Sequence, residues 1–186
     1  VPDNGQDDDG NGYVDDYLGW NPISGTDEAY GGSHGTEVAG MIGAAGNNAQ
    51  GVAGANWSVK MMPVFHAGDA DDAGVVACYT YPLVMRRLYN ATNGERGAYV
   101  VATNASWGTD GGQPADAPLW CAMFDTLGTA GILNCGATAN QNVNVDVVGD
   151  LPTACPSDFM ISVTATNDAD ERTFSAYGLT TIDVGA

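Results

Sequence analysis

Short runs of apolar residues alternate with polar, glycine-bearing turns along most of the chain. Residues 1 to 32 are the exception, because they are rich in Asp, Gly and Asn and show little apolar periodicity, which predicts loops. A run of small and apolar residues then extends from Ser33 to Ala45. Such a run is typical of a helix surrounded by protein, so we expect a buried helix that starts at His34.

Later apolar runs predict further helices and strands. Pro82 lies near the start of the first of these helices, where proline is tolerated. The predicted elements are a buried strand over residues 59 to 65, a helix over 83 to 92, a strand over 99 to 103, a helix over 118 to 130, a strand reached through 131 to 135, and a strand over 159 to 163. The apolar residues at helical spacing in the second of these helices are Leu119, Met123, Phe124 and Leu127.

This alternation of helices and strands predicts the fold class. Short connections between them favour right-handed βαβ units and a mostly parallel sheet with helices on both faces. We therefore expect an α/β fold in one domain that spans residues 1 to 186. In such sheets the functional residues gather at the carboxyl ends of the strands.

Charge and chain composition narrow the classes of partner. The chain has 23 acidic and 5 basic residues and a formal net charge of -18, so nucleic acid and anionic membrane surfaces would repel it. Its apolar runs are far shorter than the roughly 18 residues that a membrane helix requires. We expect cations or cationic substrates as partners, no nucleic acid and no membrane span.

Four cysteines, Cys78, Cys121, Cys135 and Cys155, lack the C-x-x-C spacing of zinc knuckles and thioredoxin-type redox pairs. An even count together with the acidic balance favours disulfides and a secreted protein. Three pairings are open, and the favoured one joins Cys78 to Cys121 and Cys135 to Cys155. Four buried free thiols are the alternative.

Oxygen-bearing side chains alternate along the acidic part of the N-terminal segment, a pattern that suits one hard cation. Ca²⁺ takes six to eight oxygen ligands at about 2.4 Å, and Gly12 would permit the sharp bend that such a loop needs. Leu18 stands where an EF-hand has a bidentate Glu, so we expect a calcium loop within residues 1 to 32 without EF-hand helices. A solvated acidic turn is the alternative. The candidate ligands are Asp7, Asp9, Asn11, Tyr13, Asp15 and Asp16.

The segment from His34 to Gly40 reads His-Gly-Thr-Glu-Val-Ala-Gly. It resembles the histidine motif of the subtilisin-like serine proteases, the subtilase family. The resemblance implies that His34 is the general base and acid of a Ser-His-Asp mechanism. A histidine packed at a helix end is the alternative for this residue.

Two later segments resemble the same family. Residues 104 to 108 read Asn-Ala-Ser-Trp-Gly, similar to the segment with which the family pairs an extended peptide substrate, which implies that Ser106, Trp107 and Gly108 bind substrate. Residues 135 to 140 read Cys-Gly-Ala-Thr-Ala-Asn, and by resemblance Asn140 is the side-chain donor to the oxyanion. Ala replaces the usual Gly before this Asn, and Asn142 and Asn144 are alternatives.

The tail also resembles the family, in the segments 154 to 165, 172 to 178 and 182 to 186. The resemblance thus runs in order from His34 to Ala186. It implies the three-layer fold of the subtilisins in an incomplete domain, with polypeptide substrates and the remaining segments of the same protease domain as partners.

The catalytic Asp and Ser of the family are not identifiable in this sequence. No apolar strand with an Asp turn precedes His34, and neither Ser106 nor Ser175 lies in a Gly-Thr-Ser motif. We expect both residues outside the 186 residues, in segments before Val1 and after Ala186. The predicted function is a secreted serine endopeptidase. The alternative is a catalytically inactive, calcium-stabilised module for structure or binding.

Overall fold

A computed structural model describes residues 3–66 and 71–186. The described residues form two compact units, one within Val1–Ala67 and one within Gly68–Ala186. No helix in these described residues is long and apolar enough to cross a membrane.

The first unit contains helix α1, His34–Gly43, which begins at the predicted residue. The expected burial of this helix is wrong, because none of its residues is buried and Met41 is 70% exposed. The segment 54–56 covers the end of the helix, where the amides of Ala55 and Asn56 donate to the carbonyls of Met41 and Ile42 at 2.9 and 3.0 Å. These hydrogen bonds satisfy carbonyls at the end of the helix. The small residues of α1 nevertheless stay accessible to solvent.

The buried strand expected over residues 59 to 65 is also wrong. Val64 makes a single parallel bridge, with Trp20, and the flanking hydrogen bonds run from Trp20 N to Pro63 O at 3.0 Å and from Phe65 N to Trp20 O at 2.9 Å. Trp20 belongs to the N-terminal loop segment, where the described residues from 3 onward form no regular strand that could extend the pairing. Pro63 also lacks the amide hydrogen that a longer ladder would use.

The described residues of the second unit, 71–186, form three helices, α2 (Asp72–Ala91), α3 (Pro118–Thr129) and the short α4 (Val145–Val148). The helix predicted over 83 to 92 in fact begins at Asp72, with the Asp71 carboxylate accepting from the Gly74 amide at 2.9 Å. Pro82 therefore lies inside α2. Proline in a helix interior costs about 3 kcal/mol, and burial of side chains such as Val75 and Tyr79 offsets that cost.

Helix α3 has nearly the predicted bounds. Phe124 and Leu127 are fully buried and Met123 is partly buried, as expected for one face of the helix. Leu119 is 67% exposed and does not share that face, because Trp120 beside it takes the core position.

A four-stranded parallel sheet forms the centre of the second unit. Its strands lie in the order β1, β3, β5, β6, and a separate antiparallel pair joins β2 to β4. The strand bounds are β1 (Ala102–Ala105), β2 (Thr109–Asp110), β3 (Leu133–Ala137), β4 (Asp150–Leu151), β5 (Met160–Thr164) and β6 (Val184–Gly185). The α/β class and the mainly parallel sheet are confirmed, and β1, β3 and β5 begin one to three residues later than predicted. The β2–β4 pair, β6 and α4 were not predicted.

Register places the ends of β1 and β3 side by side, with Asn104 opposite Cys135 and Ala105 opposite Gly136. The segments that leave these two strands therefore start from the same edge of the sheet. Buried side chains from α2, α3 and the sheet form one core beneath that edge. The largest include Val75, Tyr79, Trp120, Phe124, Leu127 and Met160.

One disulfide is present, between Cys121 of α3 and Cys155 in the segment before β5. Neither Cys78 nor Cys135 takes part in a disulfide. The favoured pairing of Cys78 with Cys121 and Cys135 with Cys155 is therefore wrong. The reason is spatial: packing of α3 against the segment before β5 brings the Cα atoms of Cys121 and Cys155 to 5.0 Å, which no sequence spacing reveals.

Asp146 of α4 fastens the loop that precedes β6. Its carboxylate accepts from the amides of Leu179 at 2.6 Å and Thr181 at 2.9 Å, and from both the amide and the hydroxyl of Thr180. Hydrogen bonds from Thr181, Leu179 and Thr180 outweigh the cost of partial desolvation and lower the pKa of Asp146 to about 2.

This arrangement predicts a pH dependence of stability. Because the pKa of Asp146 is lowered in the folded state, its contribution is present above the ordinary carboxyl pKa of 3.8 and is lost as the pH falls toward 2. Asp146→Asn should lower the melting temperature at pH 6, and its difference from the wild type should shrink between pH 4 and pH 2. Asp168→Asn, which removes an exposed carboxylate, is the control and should show no such convergence. An Asp146→Asn difference that stays constant with pH would contradict the assignment.

Candidate active site

His34 is the first residue of α1 and is exposed to solvent. The preceding residue, Ser33, occupies the helix N-cap position but makes no side-chain capping hydrogen bond. Ser33 and the imidazole therefore both lie at an open helix terminus, and the ring can meet a group that approaches the unit from outside.

The segment that follows β3 contains the predicted oxyanion donor. Asn140 is exposed, and no hydrogen bond within residues 71–186 engages its side-chain amide. Both alternatives are held through their side-chain oxygens: Asn142 Oδ1 accepts from the Arg172 guanidinium at 2.9 Å, and Asn144 Oδ1 accepts from the Asp146 amide at 3.1 Å as the cap of α4. These bonds fix the orientation of the two side chains, whereas the Asn140 side chain makes no such bond within residues 71–186 and can turn toward a ligand.

A buried carboxylate lies behind this segment. Asp150 of β4 is 1% exposed and accepts hydrogen bonds from Thr138 and Ala139, the two residues before Asn140. Burial raises the pKa of Asp150, and hydrogen bonds from Thr153 and Thr138 oppose that rise. Sequence reasoning missed this residue. A single Asp between Gly149 and an apolar Leu-Pro pair was the only signal for it.

The predicted substrate segment, Ser106 to Gly108, leaves β1 beside the end of β3. The Trp107 ring stacks on Trp120 with centroids 5.4 Å apart, so this side chain contributes to the core. A Cβ on Gly108 would stand 2.0 Å from the carbonyl oxygen of Leu151, so the close approach of β4 requires glycine here. What the segment can offer an extended peptide is therefore its backbone and Ser106, whose hydroxyl accepts from Asn104 at 3.1 Å.

Ser175 is unsuited to act as a nucleophile. It is 2% exposed, and its hydroxyl lies 3.5 Å from the Ala139 carbonyl oxygen to which it donates. Neither Ser175 nor Ser106 has a histidine within hydrogen-bond range in the unit that contains them, whose described residues are 71–186.

The acidic loop bends at Gly12, which has φ +96. Asp7 and Asp9 both accept from the Asn11 amide, at 3.0 and 3.1 Å, and the Asn11 side chain donates to Asp9 and Asp16. Three of the predicted ligands, Asp7, Asp9 and Asp16, therefore lie within hydrogen-bond distance of a fourth, Asn11.

Other predicted ligands of this loop have different roles. Asp15 accepts from the amides of Asn4 and Gly5 at 2.9 and 2.7 Å, and the Tyr13 ring packs edge-on against Trp20. Asp9, Tyr13, Asp15 and Asp16 line a cavity of about 190 Å³. Within the described residues, however, no group of three or more carboxylate, His or Cys side chains is positioned to hold a metal ion.

The close spacing of carboxylates and backbone amides in this loop shifts the pKa values of Asp9 and Asp7. Partial burial raises the pKa of Asp9, and the neighbouring carboxylates of Asp16 and Asp7 raise it further. The Gly12 amide, which donates to Asp7 at 2.8 Å, lowers the pKa of Asp7. Mutual repulsion of these carboxylates is the condition that a bound cation would relieve.

Solved structures with the same fold include three proteases. The chain has 17% identity and a TM-score of 0.59 with the epidermin leader peptide processing serine protease of Staphylococcus aureus, over 82% of this chain and 39% of that one. For the prenylagaramide maturation protease PagA the values are 16% and 0.57, over 82% and 51%. For the nisin leader peptidase NisP of Lactococcus lactis they are 17% and 0.54, over 81% and 46%.

At these identities the likeness establishes the fold, and the chain spans between 39% and 51% of the length of the three structures. No curated protein matches the chain. The profile of the subtilase family, peptidase S8, matches residues 3–185, nearly the full sequence. The chain therefore belongs to the subtilase family.

Proposed function

We propose that this chain is part of an extracellular serine endopeptidase that hydrolyses peptide bonds by a Ser-His-Asp mechanism. The observation that carries the proposal is the available Asn140 amide at the carboxyl end of β3, in a chain of the subtilase family. His34 is the general base and acid, and the catalytic Asp and Ser come from polypeptide outside residues 1 to 186.

Each residue has a defined part in this mechanism. An extended peptide pairs with the backbone of Ser106 to Gly108 by strand addition, which requires no particular side chains in the substrate. The His34 imidazole takes the proton from the serine hydroxyl as it attacks the carbonyl carbon, and returns it to the leaving amine. The Asn140 side chain donates to the oxyanion that forms.

The extracellular location is supported by the Cys121–Cys155 disulfide, which persists in oxidising compartments. The net charge of -18 is consistent with a protein that works apart from nucleic acid and anionic membrane surfaces.

We further propose that the acidic loop binds one calcium ion. Its candidate side-chain ligands carry oxygen atoms, burial and the carboxylates of Asp16 and Asp7 raise the pKa of Asp9, and Gly12 provides the bend of the loop. Asp7, Asp9, Asn11 and Asp16 are the side chains that would hold the ion, with the Tyr13 carbonyl as a further ligand. The ion would stabilise the loop by occupying the folded state alone.

Labelling with a fluorophosphonate serine probe tests the enzymatic proposal. The complete polypeptide that includes residues 1 to 186 should be labelled covalently, and His34→Ala should reduce the rates of labelling and of peptide hydrolysis by about 10³-fold or more, because the serine loses its base. Arg87→Gln, far along α2 and outside the proposed machinery, is the control and should retain wild-type rates. Absence of labelling in the folded wild type would instead identify a catalytically inactive module.

The assignment of the oxyanion donor is tested by two asparagine variants. Asn140→Ala should lower kcat by about 10² to 10³-fold with little change in KM, a magnitude that was measured on a subtilisin, a member of this same family. Asn142→Ala is the matched control, since Arg172 holds the orientation of the Asn142 side chain through its Oδ1 atom, and its kcat should stay within about twofold of the wild type. A larger loss for Asn142→Ala than for Asn140→Ala would reverse the assignment.

Calcium removal tests the acidic loop. EDTA should lower the melting temperature by about 5 to 10 °C, because an ion present far above its dissociation constant contributes a few kcal/mol by mass action. The double variant Asp7→Asn, Asp9→Asn should melt at the temperature of the EDTA-treated wild type, and EDTA should not lower its melting temperature further. Glu28→Gln, which removes an exposed charge from the same unit, should remain sensitive. A wild-type protein that is indifferent to EDTA would rule out the site.

A further inference from the structure

Resting on the proposed function, we infer that Asp150 is a positioning residue for the oxyanion donor: its buried carboxylate holds the backbone from which the Asn140 side chain projects. Asp150 does not reach the substrate in this assignment. It acts through Thr138 and Ala139, the two residues that connect β3 to Asn140.

The geometry concentrates three donors on one oxygen. Asp150 Oδ2 accepts from the Thr138 hydroxyl at 2.8 Å, from the Ala139 amide at 3.2 Å and from the Thr153 hydroxyl at 2.5 Å. Thr138 and Ala139 belong to the segment after β3, whereas Thr153 follows β4. The carboxylate therefore joins the two segments at a point directly before Asn140.

The backbone of Thr138 and Ala139 also makes hydrogen bonds to segments other than β4. The Ala139 carbonyl accepts from the Ala176 amide at 2.8 Å, and the Thr138 amide donates to the Val163 carbonyl at 3.0 Å at the edge of β5. Ala139 is thus bonded through both its amide and its carbonyl, and Asn140 is the first residue of the segment with an exposed, unbonded side chain. The position of its amide depends on those bonds.

Burial of a carboxylate costs free energy unless hydrogen bonds or an opposite charge compensate it. Asp150 is 1% exposed, and the charged side chain opposite it in the β2–β4 pair is another carboxylate, Asp110. Within residues 3–66 and 71–186, the hydrogen-bond partners of the Asp150 carboxylate are two hydroxyls and one amide, and a hydrogen bond to a charged group is stronger than one between neutral groups. An apolar residue would fill the position without the desolvation cost, so the carboxylate is accounted for by the backbone amide and hydroxyls that it orients.

The orientation of the Asn140 amide can be measured through its effect on kcat. A misplacement of about 1 Å in a catalytic group can lower the rate by about 10²-fold, and an oxyanion donor acts on the transition state rather than on bound substrate. Loss of the Asp150 carboxylate should therefore reduce kcat and leave KM nearly unchanged. A residue that merely stabilises the fold would not produce this division.

The test is a double-mutant cycle in the complete protease. Asp150→Asn retains the shape of the side chain but not its charge, and should lower kcat by about tenfold or more with KM within about twofold. In an Asn140→Ala background the same substitution should change kcat by less than about twofold, because the donor that it positions is absent. An equal loss of kcat in both backgrounds, or no loss when Asn140 is intact, would overturn the inference.

Two further variants keep the result interpretable. Thr103→Val is the control, since its hydroxyl donates to the buried Asn134 at 2.7 Å in the same sheet, and it should lower the melting temperature without changing kcat. Thr153→Val removes one donor to Asp150 Oδ2 and replaces Asp150→Asn if that variant does not fold; its smaller loss of kcat should also vanish in the Asn140→Ala background.

The outcomes separate this inference from the proposed function. If the wild type hydrolyses no peptide, or if Asn140→Ala has wild-type kcat, the proposed function fails and the role of Asp150 fails with it. If Asn140→Ala loses activity and Asp150→Asn does not, the positioning role alone is wrong.

Discussion

The parallel pairing of β1, β3 and β5 is the constraint on which the candidate site depends. Parallel strands point their carboxyl ends toward one edge, so the segments after β1 and β3 start next to each other although about 30 residues separate them in sequence. Helix α3 lies in the connection from β1 to β3 and provides several buried side chains of the core. The segments that begin at Ser106 and at Thr138 are neighbours for this reason.

Hydrogen bonds of buried polar side chains then fix the positions of the segments at the two ends of β3. Asn134 of β3 has no exposed surface, yet its side chain accepts from Thr103 and donates to the Phe159 carbonyl, which ties three neighbouring segments together. Asp150 does the same at the other end of β3. Each of these groups would be destabilising if a partner were missing, so the set favours a single arrangement of strands and exits.

The errors in the sequence-based predictions share a physical origin. Proline has a large local cost inside a helix, so Pro82 indicates a nearby helix start, whereas burial of side chains from α2 extends the helix by the eleven residues from Asp72 to Pro82. The cysteine pairing was wrong because the contact between Cys121 and Cys155 depends on how α3 packs. The apolar residues at 59 to 65 have the pattern of a buried strand, yet residues 3–66 supply no regular partner strand, and within 59 to 65 only Val64 forms a bridge. The local pattern gives the secondary-structure propensity of a segment, and tertiary packing decides which secondary structure forms.

Local motifs and short-range periodicity were sufficient to indicate the family, the start of α1 at His34, nearly the bounds of α3 and the segments that follow β1 and β3. The family resemblance favoured Asn140 as the oxyanion donor and left Asn142 and Asn144 as alternatives. The surroundings of the three side chains could be compared only in the folded chain, where the side-chain oxygens of Asn142 and Asn144 accept from Arg172 and from the first turn of α4. Asp150 was invisible to the sequence for the same reason: a carboxylate acquires a role from the donors that surround it, and those donors come from segments that meet only in the folded chain.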